Sequence, residues 1–306
     1  MTQVTITPRT WIMMAMLAFL WGGSFLATRT LLDSMATLHV VTHRVLWATL
    51  ALWVYVFWRG FALPRAPKVW AALAVMGVLN NVIPFGLQAT AQQSIESGLA
   101  GILNATAAVF GVLVAAAVFA DERLTPRKMT GVALGFVGVV VVMGPSALTR
   151  FDPRSLAQMA MLASTFSYAL AGAWGRAKLG GLRPEVAAVG MLTGSSLILL
   201  PLSWALEGPL PLPMTAPALV AVAYYSLVIT GLAYMLYYRV LAAAGSGNLL
   251  LVTLLLVPIA VALGAIVRAE SLPPRAFAGF ALIALALIVI DGRMVRRFFP
   301  GRDRAR

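Results

Sequence analysis

The side chains able to do chemistry in this chain are few, and most are amides, hydroxyls and aromatic rings rather than acids, bases or nucleophiles. Asn80 and Asn81 stand together, with Pro84 and Gln88 after them, and on a helix Asn81, Pro84 and Gln88 share one face. Asn104 lies in a stripe of small and polar residues with Ser97, Gly101, Ala108 and Gly111. Trp21 and Ser24 interrupt one apolar run, Ser164, Thr165, Ser167 and Tyr168 another, and Thr253 and Pro258 a third. At about 100° per residue, Tyr224, Tyr234 and Tyr238 fall within roughly a quarter of a helical circumference. Such groups hold a solute without breaking its bonds. Amides and hydroxyls take polar ends, aromatic faces take apolar bulk, and a proline leaves a backbone carbonyl free.

Covalent and metal chemistry have little material. There is no cysteine, which removes disulfides, thiolate metal sites and thiol nucleophiles. The only histidines are His39 and His43, so a three-histidine zinc site is impossible. Their spacing of four would suit a metal pair or a proton relay, but they stand near the start of an apolar run, where interfacial solvation is the simpler expectation. No HExxH motif, nucleotide-binding loop or serine with a nearby histidine occurs. The expectation is a protein without catalytic residues, metal or cofactor.

The elements that must position these groups follow from composition. Of 306 residues, 61% are hydrophobic and 11% charged, with a mean hydropathy of +0.90. Soluble domains run near 45–50% and 25%, so an ordinary soluble enzyme is excluded. Apolar runs at 11–31, 39–58, 69–91, 95–119, 128–144, 155–175, 185–206, 217–238, 246–267 and 276–292 predict ten transmembrane helices and an all-α membrane protein. The first run is longer than a signal-peptide core and reads as an uncleaved helix. With both termini cytoplasmic, seventeen of the 23 basic residues fall inside, including the six arginines from Arg293 to Arg306. The net charge of +13 is thus first a topology and lipid-headgroup signal, and no nucleic-acid partner is expected. Arg29 and Arg44 lie outside by this count, placed to snorkel or to pair with Asp33. Trp11, Trp58, Trp70, Tyr237 and Tyr238 read as residues of the aromatic belt.

A repeat divides the chain. Ser97-Gly98 through Glu122 to Gly131 recurs as Ser246-Gly247 through Glu270 to Gly279, with Glu122, Leu124, Pro126, Arg127 and Gly131 each matched 148 positions later. Residues 1–147 and 148–306 are therefore two five-helix halves. Five being odd, the second enters the membrane from the opposite side, an inverted repeat. The polar centres lie on helices 1, 3, 4, 6, 8 and 9, three repeat-related pairs that would surround a midplane cavity. Helices 5 and 10 have none, and the pattern Gly131-x-x-x-Gly135-x-x-Gly138 reads as a packing surface for Gly279, Ala281, Ala284 and Ala286.

The order Phe19-Leu20-Trp21-Gly22-Gly23-Ser24-Phe25, then a small-residue helix ending in Asp121-Glu122-Arg123-Leu124-Thr125 and a glycine-rich helix, resembles the EamA-type branch of the drug/metabolite transporter superfamily. The resemblance spans essentially the whole chain and is nearest to bacterial aromatic amino acid exporters. It implies ten helices, alternating access and residence in the bacterial inner membrane. The superfamily's small multidrug exporters use a glutamate in the first helix, absent from 11–31; its sugar-phosphate carriers use deep basic residues, and here no lysine lies within a span. The expected cargo is a neutral or zwitterionic small molecule with apolar bulk. Its expected contacts are Trp21, Ser24, Asn80, Asn81, Pro84, Gln88, Asn104, Ser164, Tyr168, Tyr224, Tyr234, Thr253 and Pro258. Export of aromatic or large apolar amino acids by uniport or exchange is the leading expectation. Export of drugs or other neutral metabolites is the alternative, and a non-transporting scaffold or an intramembrane enzyme the remote one. A functional monomer in contact with membrane lipids is the simplest assembly, a dimer remaining open.

Overall fold

In hydrocarbon, backbone N–H and C=O groups must be satisfied within the chain, and for runs as apolar as Leu99–Val118 the helix is the way to do so. The computed structural model describes residues 6–24, 31–32, 34–91, 93–95, 97–212, 215–268 and 273–291, and among them there is no strand. The helices are α1 (Pro8–Gly22), α2 (Thr37–Trp58), α3 (Pro67–Ala91), α4 (Ser97–Val118) and α5 (Pro126–Met143). After a short 3-10 turn, Pro145–Arg150, come α6 (Leu156–Leu179), α7 (Pro184–Glu207) and α8 (Ala216–Ala244). α9 begins as a turn, Ser246–Leu249, and continues as Val252–Arg268; α10 is Pro274–Asp291. Eight of these are long and apolar enough to cross a membrane. Exposed Val54, Phe57, Leu197 and Leu206 give the bundle the apolar outside that a bilayer requires.

The helix boundaries have local causes. Proline in the first turn starts α1, α3, α5, α7 and α8, where its missing N–H costs nothing, and Thr7, Thr125 and Thr215 cap the helices they precede. α5 ends at Gly144 (φ 100°) and α8 at Gly245 (φ 81°), backbone conformations that residues with a side chain rarely adopt. α8 runs six residues past the predicted end at 238, because nothing before Gly245 stops it.

Glycine sets the closest crossings. The faces of α5 and α10 meet so tightly that a Cβ on Gly138 would lie 3.0 Å from the Gly279 carbonyl oxygen and 3.0 Å from the Ile283 amide. The partners in this seam are Gly279, Ile283, Ala286 and Ile290; Ala281 and Ala284, expected in it, are exposed on the other side. α3 crosses α7 at Gly77, whose missing side chain leaves room for Met191 and Ser195, and at Gly194, where a Cβ would lie 2.7 Å from the Ala74 Cα. Hydroxyls bind neighbouring helices elsewhere: Thr49 to Ser196 at 2.9 Å, Trp53 Nε1 to Thr193 at 2.9 Å and Thr106 to Thr165 at 2.9 Å.

Two helices are not regular. α3 widens into a π-helix at Val78–Val82 and α8 at Tyr224–Leu232, each near the middle of its helix. In α3 the cause is visible: Pro84 has no N–H to give the Asn80 carbonyl, and the turn opens so that Ile83 donates to Val78 instead. The carbonyls of the wide turns are then taken by side chains, Leu79 by the Ser167 hydroxyl (2.7 Å) and Ile229 by Trp21 Nε1 (3.1 Å).

Candidate functional site

A cavity of about 980 Å3, its mouth included, opens where the two wide turns face α1, α4, α6 and α9. α1 and the residues just after it contribute Trp21 and Ser24, α3 gives Asn80, Phe85, Gln88 and Ala89, α4 gives Asn104 and α6 gives Tyr168. α8 supplies Tyr225, Tyr234 and Tyr237, and α9 supplies Thr253 and Leu256 with Leu250 before it. Eight of the thirteen expected residues thus meet around one space: Trp21, Ser24, Asn80, Gln88, Asn104, Tyr168, Tyr234 and Thr253.

Five do not line it. Asn81 is fully buried behind the wall, its Nδ2 donating to Ser195 Oγ at 2.8 Å and its Oδ1 accepting from the Tyr234 hydroxyl. It orients Tyr234 rather than facing the cavity. Ser164 is buried too, bonding the Met161 carbonyl at 2.7 Å and accepting from Gln88 Nε2 at 3.3 Å. Pro84 shapes α3 from within the helix, and Pro258 lies farther along α9. Tyr224 is turned outward beside Gly23 and is 39% exposed. The π-helix that starts at Tyr224 advances less than 100° per residue, so the regular spacing that joined it to Tyr234 slips, and Tyr225 takes its place.

The tyrosines expected at the membrane surface are also inside. Tyr237 is 2% exposed and lines the cavity; Tyr238 is 6% exposed, its hydroxyl donating to Met191 Sδ at 3.3 Å. With Trp21 and Tyr234 they form a chain of tilted and edge-on rings, neighbouring centroids 5.3–6.3 Å apart. The Tyr237 hydroxyl is a buried polar side-chain atom with no hydrogen-bond partner among the described residues. Among the described residues, Asn80 Nδ2 donates to Met191 Sδ at 3.6 Å and the side chain makes no other hydrogen bond. Gln88 ties the wall together by donating to Asn104 Oδ1 at 3.2 Å.

α2 was expected to stand outside the cavity, and this is the main correction. Thr37, Val40, Val41 and Arg44 all line it. Arg44 neither snorkels outward nor lies at the rim: it reaches across to α8, Nε donating to Thr230 Oγ1 at 2.9 Å and Nη1 to the Tyr225 hydroxyl at 3.1 Å. Asp33 and Arg29 lie outside the described residues. The histidines beside it are buried, not solvated. His39 Nε2 lies 3.2 Å from the Gly208 carbonyl and His43 Nε2 2.7 Å from that of Pro211, while Trp47 Nε1 donates to His43 Nδ1. Glu207 caps the start of α2, accepting from the Leu38 and His39 amides at 3.0 and 2.9 Å. They anchor the α7–α8 connection, and among the described residues no cluster of three metal-binding side chains occurs.

At the opposite end the bundle is shut. Glu122, at the turn between α4 and α5, is 1% exposed and accepts from the Ser246 amide (2.8 Å), the Ser246 hydroxyl (3.0 Å), the Gly247 amide (2.9 Å) and Arg176. Lys128 stands 4.0 Å away. Arg176 also holds Asp121, and the guanidinium keeps that carboxyl below the usual carboxylate range. Gly245 and Gly247 leave room for the carboxylate; a Cβ on Gly247 would lie 2.8 Å from it. No search for mid-span polar residues finds this cluster, but the matched repeat contains both of its sides, Glu122 in one copy and Ser246-Gly247 in the other.

Comparison with known proteins agrees with this architecture. Residues 9–144 and, separately, 155–291 match the EamA-like transporter family. An uncharacterized transporter of Archaeoglobus fulgidus is 24% identical over 292 residues, covering 92% of this chain and 98% of its own; another from that organism is 26% identical over 240 residues, covering 78% and 82%. A protein of Streptantibioticus cattleyicolor described as a probable terminal-alkyne amino-acid exporter is 26% identical over 281 residues, covering 90% of this chain and 91% of its own. A solved crystal structure shares the fold with a TM-score of 0.78 at 18% identity, covering 92% of this chain and 98% of the other.

Proposed function

The chain belongs to the EamA-like transporter family and is a multi-pass membrane protein; on that premise we propose that it exports amino acids, aromatic or large apolar ones preferred, by alternating access through the cavity. The observation that carries this reading is the composition of the wall. Amides of Asn80, Gln88 and Asn104 stand among the rings of Trp21, Tyr168, Tyr234 and Tyr237, a surface for a solute with polar ends and apolar bulk. The relative described as a probable terminal-alkyne amino-acid exporter supports the same class of cargo.

Two matches to one family model support reading residues 1–147 and 148–306 as inverted halves. The bias of the basic residues supports cytoplasmic termini and a cytoplasmic Glu122 turn in a bacterial cell, and in that orientation the state described is closed inward and open outward. No carboxylate occurs among the described lining residues, which favours uniport or exchange over proton coupling.

Counterflow in proteoliposomes tests the reading. Vesicles loaded with unlabelled tryptophan or phenylalanine, without an ion gradient, should accumulate labelled amino acid transiently, and Asn80→Ala should reduce the overshoot. No counterflow with any amino acid, together with competition by drug-like amphiphiles in another assay, would replace amino acids by drugs or other metabolites as cargo.

A further inference from the structure

Arg44 is the cationic side chain among the described residues lining the cavity. It sits seven residues into α2, about 10 Å along the helix, where a charge without a partner is costly. Its guanidinium carbon lies 3.8 Å from the centre of the Phe85 ring and 4.6 Å from that of Tyr225, so aromatic faces bracket it. Of its five N–H groups, two are spent on the uncharged hydroxyls of Thr230 and Tyr225. Every salt bridge among the described residues is made elsewhere.

A clamp joining α2 to α8 would need only the two hydroxyl contacts, which a neutral amide could supply in part without desolvating a charge. What a guanidinium adds is a fixed cationic edge whose remaining donors match the two oxygens of a carboxylate. The rest of the wall agrees. Nothing acidic among the described lining residues would hold an ammonium, and the unpaired Tyr237 hydroxyl is a further polar group for the cargo.

We propose that Arg44 is the carboxylate receptor of the cavity, so that the transported class is apolar or aromatic monocarboxylates, amino acids among them, recognised by the carboxylate and the apolar tail rather than by the ammonium. This deepens, and rests on, the transport reading. Phe85 and Tyr225 position the guanidinium, and the Trp21, Tyr234 and Tyr237 rings receive the tail.

A ligand series of constant tail tests it: phenylalanine, 3-phenylpropionate, phenylalaninamide and phenethylamine, each measured by thermal stabilisation of the purified protein and by competition in counterflow. The two carboxylates should bind comparably, and the amide and amine at least about tenfold more weakly. Arg44→Gln should weaken the carboxylates on the order of 10- to 100-fold and level the series, with Arg44→Lys between. Amide and amine matching the acids in the wild-type protein would overturn the proposal without any variant. So would an unchanged acid preference in Arg44→Gln, or no binding by either acid. Binding of 3-phenylpropionate that depends on Arg44, in a protein that exchanges no amino acid, would uphold the receptor and refute the amino-acid reading. Phenylalanine exchange with an Arg44-independent preference would do the reverse.

Discussion

Glu122, in the turn between α4 and α5, and Arg44, in the cavity wall, are both charged groups held inside the helical bundle, and their surroundings are opposite. Around Glu122 four hydrogen-bond donors converge on a carboxylate that water scarcely reaches, and both helical halves contribute to it. Around Arg44 two neutral hydroxyls and two ring faces leave most of the donor edge without a counter-charge among the described residues. A buried charge whose capacity is filled by its own protein fixes structure, whereas one left part-filled beside a cavity is placed for a ligand. The difference suits the Glu122 end to closure and the Arg44 end to holding cargo.

The largest effect that would sharpen this contrast is expected from Glu122→Ala. It strands Arg176, Lys128 and two backbone amides at once, and a loss of about 3–5 kcal/mol is the usual scale for breaking such a buried set. A melt of the purified protein reads it; a variant as stable as wild type would show that the cluster does not hold the end shut. The conservative Glu122→Gln should leave the protein folded and shift it toward opening at that end.

The neighbouring amides give the next test, because their roles differ although they are adjacent. Asn81→Ala removes the partner of both Ser195 and Tyr234 and should cost about 2–3 kcal/mol of stability. Asn80→Ala should leave the melt nearly unchanged and raise KM for transport. The opposite assignment would mean that Asn81, not Asn80, meets the cargo. A smaller effect is expected of Tyr237→Phe: with no partner for the hydroxyl to lose, stability should hold or rise by up to about 1 kcal/mol, while affinity for cargo falls. Asp121→Asn should do least, since its carboxylate is only half-buried and merely adds to what Arg176 already makes with Glu122. Because Arg176 lowers the Asp121 pKa, the small contribution of that pair is present above the ordinary carboxylate range and is lost as pH falls below it.

Much of this was legible in the residues. Apart from the end of α1, which is Gly22 rather than 31, and the end of α8, which is Ala244 rather than 238, apolar runs gave helix positions to within a few residues, and the glycines of α5 marked a packing seam that α10 fills. Counting polar atoms near span centres found Trp21, Asn80, Gln88, Asn104, Tyr168 and Thr253, because a polar group at that depth must be satisfied or face a cavity. The misses have two causes. Regular 100° periodicity cannot foresee a π-helix, so the spacing puts Tyr224 rather than Tyr225 on the cavity face, while Tyr237 reads as a belt residue because it stands near the predicted end of its span. Position near the end of a span also says little about direction: Arg44 has a long stem, and the Phe85 and Tyr225 rings and the Thr230 hydroxyl that turn it inward lie 41 or more residues away in sequence. The same holds for His39 and His43, which bind carbonyls of the α7–α8 connection rather than solvent.

The chain has no cysteine, so a single introduced thiol reports access without background. Thr37→Cys, half-buried at the mouth of the cavity, can be exposed to a membrane-impermeant maleimide with and without phenylalanine, in the wild-type background and with Glu122→Gln. Labelling from the Arg44 side should be rapid, slowed by phenylalanine, which occupies the cavity, and slowed further when Glu122 is neutralised, which favours the state open at the other end. Labelling that neither phenylalanine nor Glu122→Gln alters would mean that cargo does not bind beside Arg44 and that Glu122 does not hold the far end closed.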